Sequence, residues 1–331
     1  MKAIVHDSYG PPSVLRLEEV EQPVPGRGEV LVQVHASAVD QGVWHLTAGL
    51  PYPIRATPYG LRGHRARVRG TDVAGVVEAV GPEVTRFRPG EEVYGSCEGA
   101  FAEYACARED RLAPKPGNLG FEQAAAVPVS GVTALQALRD SGRLRAGQSV
   151  LVIGAAGGVG SFAVQLAKAY GAHVTGVCGT AKVDLVRSLG ADRVLDYTRE
   201  EPTDGQRRYD LVLDIAGNRP LSRLRRVLTP RGTLVIVGGE GGGRWIGGLD
   251  RQLRALLLSP FVSQRLRVLA SRQHHGDLRL LAELIEAGSV TPAVDRAYPL
   301  ADAPEAVRHL RQGRVRGKLV IRVREGASGR A

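Results

Sequence analysis

The sequence predicts an α/β protein: a doubly wound parallel sheet joined to a second, β-rich domain. Three observations carry that prediction. Apolar strands and helices alternate from Ser149 to about Leu269, the pattern of parallel βαβ units. The residues before Phe121 instead show short alternating runs separated by turn residues. A glycine-rich junction, Gly154–Gly160, joins the first strand of the alternating part to its first helix.

Length and composition set the bounds. The chain has 331 residues, which at about 150 residues per domain suggests two domains. A hydrophobic fraction of 43% and a charged fraction of 24% exclude a largely disordered chain. The apolar runs Val150–Ile153 and Leu234–Val237 fall far short of the roughly 20 residues a membrane helix needs. The N-terminal MKAIVHDSYG has no apolar signal-peptide core. A cytoplasmic protein without a membrane partner is expected. Cys97, Cys106 and Cys178 fit no zinc spacing and read as reduced thiols. The net charge of +10 is mostly arginine spread along the chain, denser only at Arg62–Arg69 (RGHRARVR). That stretch reads as a solvated loop or a lip over an entrance. No aromatic residues interleave with the charges, so nucleic acid is not an expected partner.

In the β-rich part, strands are expected at Lys2–Val5, Val30–Ala36, Val73–Val80 and Ala102–Ala107. Pro11-Pro12, Pro25-Gly26, Pro89-Gly90 and Pro114–Gly117 mark turns between them, as in a small Greek-key or barrel-like domain. Phe121–Ala126 and Gly131–Asp140 read as helices. Strands follow at Val150–Ile153, His173–Cys178, Arg193–Asp196, Leu211–Asp214, Thr233–Val237 and Arg267–Leu269. Helices Ser161–Tyr170, Lys182–Leu189, Leu221–Leu228 and Leu253–Leu258 lie between them, and Gly238–Gly248 reads as a loop. Helix Asp277–Ala287 leads to a final strand, helix (Ala303–Leu310) and strand (Leu319–Val323), and the tail Glu325–Ala331 is expected to fray.

The strongest motif is VLVIGAAGGVGSFAVQLAKAYGA. Gly154, Gly157 and Gly160 stand between a strand and a helix, within a βαβ unit of about 30 residues. Glycines let the backbone turn tightly and approach a pyrophosphate, and the helix N-terminus presents free N–H groups and partial positive charge to it. The backbone of Gly154, Ala155, Ala156, Gly157, Gly158, Val159 and Gly160 is therefore the candidate phosphate cradle of a dinucleotide. An NAD-preferring site carries an acid at the end of the next strand, about 20 residues on. Here VTGVCGTAK has none from His173 to Val183. Thr180 can donate a hydrogen bond and Lys182 brings positive charge, which favours NADPH (NADP+). As the start of a helix, Lys182 could equally be an exposed surface residue.

Several ordered segments resemble the medium-chain dehydrogenase/reductase superfamily: GTDVAGVVEAVGPEVTRFRPGEEVYG (Gly70–Gly95), GAFAEYA (Gly99–Ala105), LAPKPGNLGFEQAAAVPVSGVTALQAL (Leu112–Leu138), the GAAGGVG loop and RGKLVI. The resemblance is nearest its zinc-independent branch, the NADPH:quinone oxidoreductase and ζ-crystallin-like proteins. It implies a GroES-like catalytic domain over 1–121 and 290–331, and a Rossmann NADP-binding domain over 122–289. Zinc-dependent relatives carry a ligand cysteine where this chain has Asp40, and Gly-His-Glu where it has Gly70-Thr71-Asp72. No metal site is expected, so no Lewis acid assists alcohol oxidation. What remains is hydride delivery to a small electrophilic acceptor, a quinone or an activated C=C bond. By the same resemblance Tyr197 lies near the adenosine phosphate. Gly217, Asn218 and Gly238 border the nicotinamide ribose, and Lys318 folds back toward the cofactor. Tyr197 and Lys318 could instead be packing and surface residues.

The resemblance also lays Asp40–Tyr52 over the nicotinamide. Tyr52 and Asp40 are the candidate catalytic residues, Tyr52 donating a hydrogen bond to a developing enolate. Trp44 and His45 are candidates for the pocket wall. Relatives are commonly homodimers. Rival readings are an enoyl-thioester reductase and a weakly catalytic NADPH- or RNA-binding crystallin-like protein.

Overall fold

The structure, a computed structural model, describes residues 1–56, 67–239 and 243–324. It divides into two compact units. The first holds 1–132, 273–288 and 292–331; the second holds 133–272 and 289–291.

In the first unit β1 (Lys2–Val5) pairs with β2 (Arg16–Glu19) as a separate antiparallel ribbon. β3 (Glu29–Val39), β4 (Asp72–Val80), β5 (Glu92–Ser96), β6 (Tyr104–Arg108) and β7 (Leu112–Pro114) follow. Helix α1 (Gln41–Ala48) comes directly after β3, and α2 (Phe121–Ala125) and α3 (Pro128–Gln136) come after β7. Valines on the inward side of β3, β4 and β5 and alanines of β6 meet Phe87, Cys97 and Leu112 in one core, the burial that alternation encodes.

In the second unit β8 (Ser149–Ile153), β9 (His173–Cys178), β10 (Arg193–Asp196), β11 (Tyr209–Asp214), β12 (Leu228–Ile236) and β13 (Arg265–Val268) form one sheet, ordered β10-β9-β8-β11-β12-β13. Every pairing in it is parallel. This is the doubly wound dinucleotide order, with its switch point beside β8. Its helices are α4 (Gly158–Ala169), α5 (Val183–Ser188), α6 (Leu221–Arg226), α7 (Gly243–Ile246) and α8 (Leu249–Leu258). Leu151, Ile153, Val212, Leu224, Leu234 and Ala255 share a core.

The chain then returns to the first unit through α9 (His275–Glu286), β14 (Val294–Pro299), α10 (Ala303–Arg311) and β15 (Lys318–Arg322). The seven-stranded sheet there runs β14-β15-β3-β4-β5-β7, with β6 on β3.

Residues 122–132 and 273–288 group with the first unit rather than with the nucleotide-binding part. The contacts explain why. Phe121 stacks on His35 with centroids 4.2 Å apart, the buried Tyr94 hydroxyl donates to the Leu278 carbonyl at 2.5 Å, and Gly117 N donates to Glu286 at 2.9 Å.

Other elements shift. The helix expected at Gly131 starts at Pro128, whose fixed φ suits a first helical turn, and ends in a π-helical turn, Ala137–Ser141. β12 begins at Leu228, because this buried leucine pairs with Tyr209 instead of extending α6. Of the Arg62–Arg69 stretch, 62–66 lie outside the described residues. Arg67 is tied to Asp7 at 2.9 Å and Glu18 at 3.2 Å. Arg69 is only 6% exposed, so at this residue the solvated-loop reading fails. Of Gly238–Gly248, 240–242 lie outside the described residues, and Gly243–Ile246 is a helical turn. The tail Glu325–Ala331 lies outside them too.

Candidate functional site

The phosphate loop leaves β8 at Ile153. Gly154 and Ala155 both donate to the Val177 carbonyl, at 3.1 and 3.0 Å, which turns the chain back over β9. Gly154 has φ +93°, a region that favours glycine. α4 begins at Gly158, three residues earlier than the sequence suggests, so three of the motif's seven residues lie inside the helix. Its N-cap, Gly157, has no side chain to satisfy the first-turn N–H groups. A Cβ at Gly160 would stand 2.1 Å from the Gly154 oxygen, whereas one at Gly157 meets nothing nearer than 3.6 Å. Gly160 is thus needed for helix–strand contact, and Gly157 keeps an open face. A dinucleotide pyrophosphate fits this cradle: Gly154, Ala155 and Gly157 spend their N–H groups within the strand and loop, and Ala156 with the first-turn residues Gly158, Val159 and Gly160 supplies the backbone N–H groups left for an anion.

The ends of β9 and β10 meet beside it. Tyr197 is 56% exposed, and its hydroxyl is the nearest atom, at 3.2 Å, to where a Gly179 Cβ would stand. Gly179 leads into Thr180 and Lys182. The structure also brings in an acid that a search along β9 does not reach. Asp196, at the end of β10, accepts from the Thr180 hydroxyl at 2.5 Å, from Thr198 N at 3.0 Å and from Thr198 Oγ1 at 2.8 Å. Arg199 lies 3.5 Å away. The Thr180 hydroxyl, followed by those of the Thr198 groups and Arg199, holds the Asp196 carboxyl below its usual range. Thr180 therefore spends its donor on Asp196.

On the other side of β8, Gly217 (φ +68°) follows β11 and Gly238 follows β12. A Cβ on Gly217 would meet the Gly238 carbonyl carbon at 2.7 Å, and one on Gly238 the Ile215 oxygen at 2.0 Å. The two loops touch backbone to backbone, with Asn218 exposed beside them.

In the first unit, Asp40 caps α1 by accepting from Val43 N at 3.0 Å. Its other oxygen is buried without a hydrogen-bond partner. Tyr52 opens a helical turn (Tyr52–Ala56), with the Arg55 guanidinium 4.9 Å from its ring centroid and 4.7 Å from that of Tyr9. His45 Nδ1 donates to the Leu50 carbonyl at 2.7 Å, since a carbonyl can only accept. That fixes the tautomer of the neutral ring. Trp44 is partly buried, packing against the core of Tyr298, Leu300 and Val307 under the Arg311 guanidinium.

Lys318 is 2% exposed, so it is not a surface residue, and its ammonium donates to Asp72 Oδ2 at 2.9 Å. Asp72 also accepts from Val129 N at 2.7 Å. Burial pushes its carboxyl up to about 6 despite Lys318, and Asp40 adds repulsion. Zinc does not fit these residues. Asp72 already holds Lys318, Asp40 caps a helix, and among the described residues no three His, Cys, Asp or Glu side chains could hold a metal. No helix among them is long and apolar enough to cross a membrane.

A six-stranded doubly wound sheet with this loop and a separate β unit fed by both ends of the chain define the alcohol-dehydrogenase class of fold. Residues 26–117 match the alcohol dehydrogenase GroES-like domain, and 189–321 match the family described as zinc-binding dehydrogenase. A chloroplastic quinone oxidoreductase of Triphysaria versicolor is 32% identical over 97% of this chain and 98% of its own. The 2-methylene-furan-3-one reductase of Solanum lycopersicum is 33% identical over 97% of this chain and 79% of its own. The Escherichia coli quinone oxidoreductase solved with NADPH superposes with a TM-score of 0.83 at 26% identity, covering 98% of this chain and 100% of that one. The chain belongs to the medium-chain dehydrogenase/reductase superfamily, in its quinone oxidoreductase branch.

Proposed function

We propose that the chain is an NADPH-dependent, zinc-independent reductase of quinones and activated C=C bonds. The observation that carries the reading is the side-chain cluster beside the phosphate loop: Tyr197 over Gly179, next to Thr180 and Lys182. The oxygens of Asp196 there are taken up by Thr180 and Thr198, with Arg199 offsetting its charge. Lys182 and Arg199 therefore leave the region favourable to a 2′-phosphate. The glycine-loop backbone holds the pyrophosphate at the N-terminus of α4. Gly217, Asn218 and Gly238 border the nicotinamide ribose.

Bound NADPH supplies the hydride for an electron-poor acceptor. The protein's part is to position, to exclude water and to stabilise charge. Tyr52 donates a hydrogen bond to the acceptor oxygen as negative charge develops, and the guanidinium of Arg55 over its ring adds positive field. Asp40 orients this segment by capping α1. The tomato relative favours C=C reduction beside quinone reduction, and an enoyl-thioester acceptor belongs to the same chemistry. We also read the protein as a homodimer, supported by the apolar outer face of α8 beside the edge strand β13.

The test is oxidation of NADPH against quinones, alkenals and crotonyl thioesters side by side, repeated with NADH. Turnover of quinone or alkenal with NADPH well above NADH is expected. Preference for NADH, or for a zinc-dependent alcohol substrate, overturns the reading.

A further inference from the structure

We propose that Arg251 is a positioning residue for the nicotinamide end of the cofactor, acting by clamping together the loops that follow β11 and β12. The proposal rests on the NADPH-reductase reading above. Arg251 lies in the first turn of α8, outside every glycine motif, and its guanidinium reaches both loops. Nη1 donates to Asp214 and, at 3.1 Å, to the Arg219 carbonyl beyond Gly217 and Asn218. Nη2 donates at 2.8 Å to the carbonyl of Gly238. Asp214 completes the arrangement from the end of β11. Its Oδ1 accepts from Gly217 N at 3.2 Å, and its backbone carbonyl accepts from Val237 N at 3.0 Å and Gly238 N at 3.2 Å.

The purpose of so many bonds follows from the loops themselves. Gly217 and Gly238 have no side chains to hold them, yet their backbones must stay in contact. Only a rigid planar fork serves an Asp and two carbonyls at once; a lysine ammonium keeps one arm and loses the span. Asp214 is fully buried and Arg251 is 11% exposed. Burial drives the Asp214 carboxyl upward against the pull of Arg251, so the charge is retained there at a cost. A pair kept only for stability could be replaced by apolar side chains; a pair that sets loop geometry cannot.

The test compares two ligands on Arg251→Lys and Arg251→Met. NADPH spans both ends of the site, whereas adenosine 2′,5′-bisphosphate occupies only the adenosine end. Expected is an NADPH Kd raised about tenfold in Arg251→Lys and further in Arg251→Met, with the bisphosphate Kd held within about twofold. The fluorescence of bound NADPH should lose intensity as its ring is held less firmly. Equal weakening of both ligands, or an unchanged NADPH Kd, overturns the proposal. If Arg251→Met does not fold, Arg251→Lys alone decides by the same criteria. A wild-type protein that binds neither ligand refutes the parent reading instead, and this one with it.

Discussion

Lys318 and Asp72 form a buried ion pair at 2.9 Å across 246 residues of chain. The pair joins the first residue of β15 to the first of β4, next to the N-terminus of α3 through Val129. Removing Lys318 leaves a carboxylate in the core without its cation. Lys318→Met should cost about 3–5 kcal/mol at neutral pH. The sign of the pH dependence follows from Asp72. Its folded pKa, about 6, lies above the ordinary value of 3.8 for an aspartate carboxyl. Its own contribution to stability is therefore present below 3.8 and is lost as pH rises through about 6. Below that range Asp72 is protonated and needs Lys318 less. The penalty of Lys318→Met, read from urea unfolding, should shrink between pH 8 and pH 5. A penalty independent of pH contradicts the ionised pair.

Gly157 and Gly160 should respond oppositely to the same methyl group. Gly160→Ala puts Cβ 2.1 Å from a backbone oxygen and should destabilise the protein by about 1–3 kcal/mol. Gly157→Ala meets only an ordinary van der Waals contact, the Gly154 oxygen at 3.6 Å, so its Tm should stay near the parent value. Its methyl would enter the face kept for phosphate, raising the KM for NADPH about tenfold, or roughly 1.4 kcal/mol. Thermal denaturation and steady-state kinetics on both variants decide. Equal losses of Tm would mean that Gly157 is only a packing glycine.

How much of this was readable beforehand depended on how far apart the partners lie in sequence. The β8–loop–α4 unit was legible because strand, glycines and helix are contiguous, and the period of the apolar residues changes where the structure changes. The alternation of the nucleotide unit was legible for the same reason. The Lys318–Asp72 pair was not, since neither residue carries a signal of its partner. Asp196 was missed because the rule for adenosine-ribose acids looks along β9, while this acid arrives from β10. Arg251 had no motif, and the helix expected at Leu253 begins at Leu249, which hides its inward-facing first turn. The contact of Trp44 with α10 was not legible either, because Arg311, which lies over the indole, comes from far along the chain.

Cofactor choice should turn on Lys182 and Tyr197. Removing a cation that meets a 2′-phosphate costs a charge-assisted contact, about 1.5–3 kcal/mol. Lys182→Ala should therefore raise the KM for NADPH by at least about tenfold and leave that for NADH nearly unchanged. Tyr197→Ala should weaken both dinucleotides modestly, because an aromatic ring beside Gly179 meets the adenosine whichever ribose is bound. Thr180→Val frees Asp196 from its shortest hydrogen bond. The carboxylate then faces the cofactor with less compensation, and preference should move toward NADH. KM ratios for the two cofactors measure all three. If Lys182→Ala lowers both affinities alike, the 2′-phosphate reading is wrong.

The outer face of α8 gives the last prediction. Leu253, Leu256 and Leu257 are exposed along one side of the helix, Phe261 follows at 84% exposure, and Trp245 precedes them. Scattered apolar residues on a surface need no explanation, but a contiguous group of this kind marks an association site. It lies next to β13, the edge strand of the parallel sheet, and an uncovered edge invites pairing with a second sheet. A symmetric dimer would cover both features at once, each copy presenting the same patch. Leu253→Glu combined with Leu257→Glu places two like charges in that contact. Sedimentation velocity should show a dimer for the parent chain and a monomer for the double variant. The Tm of the variant should fall as well, since association stabilises the folded state by mass action. A parent chain that sediments as a monomer at micromolar concentration would assign the patch to some other partner.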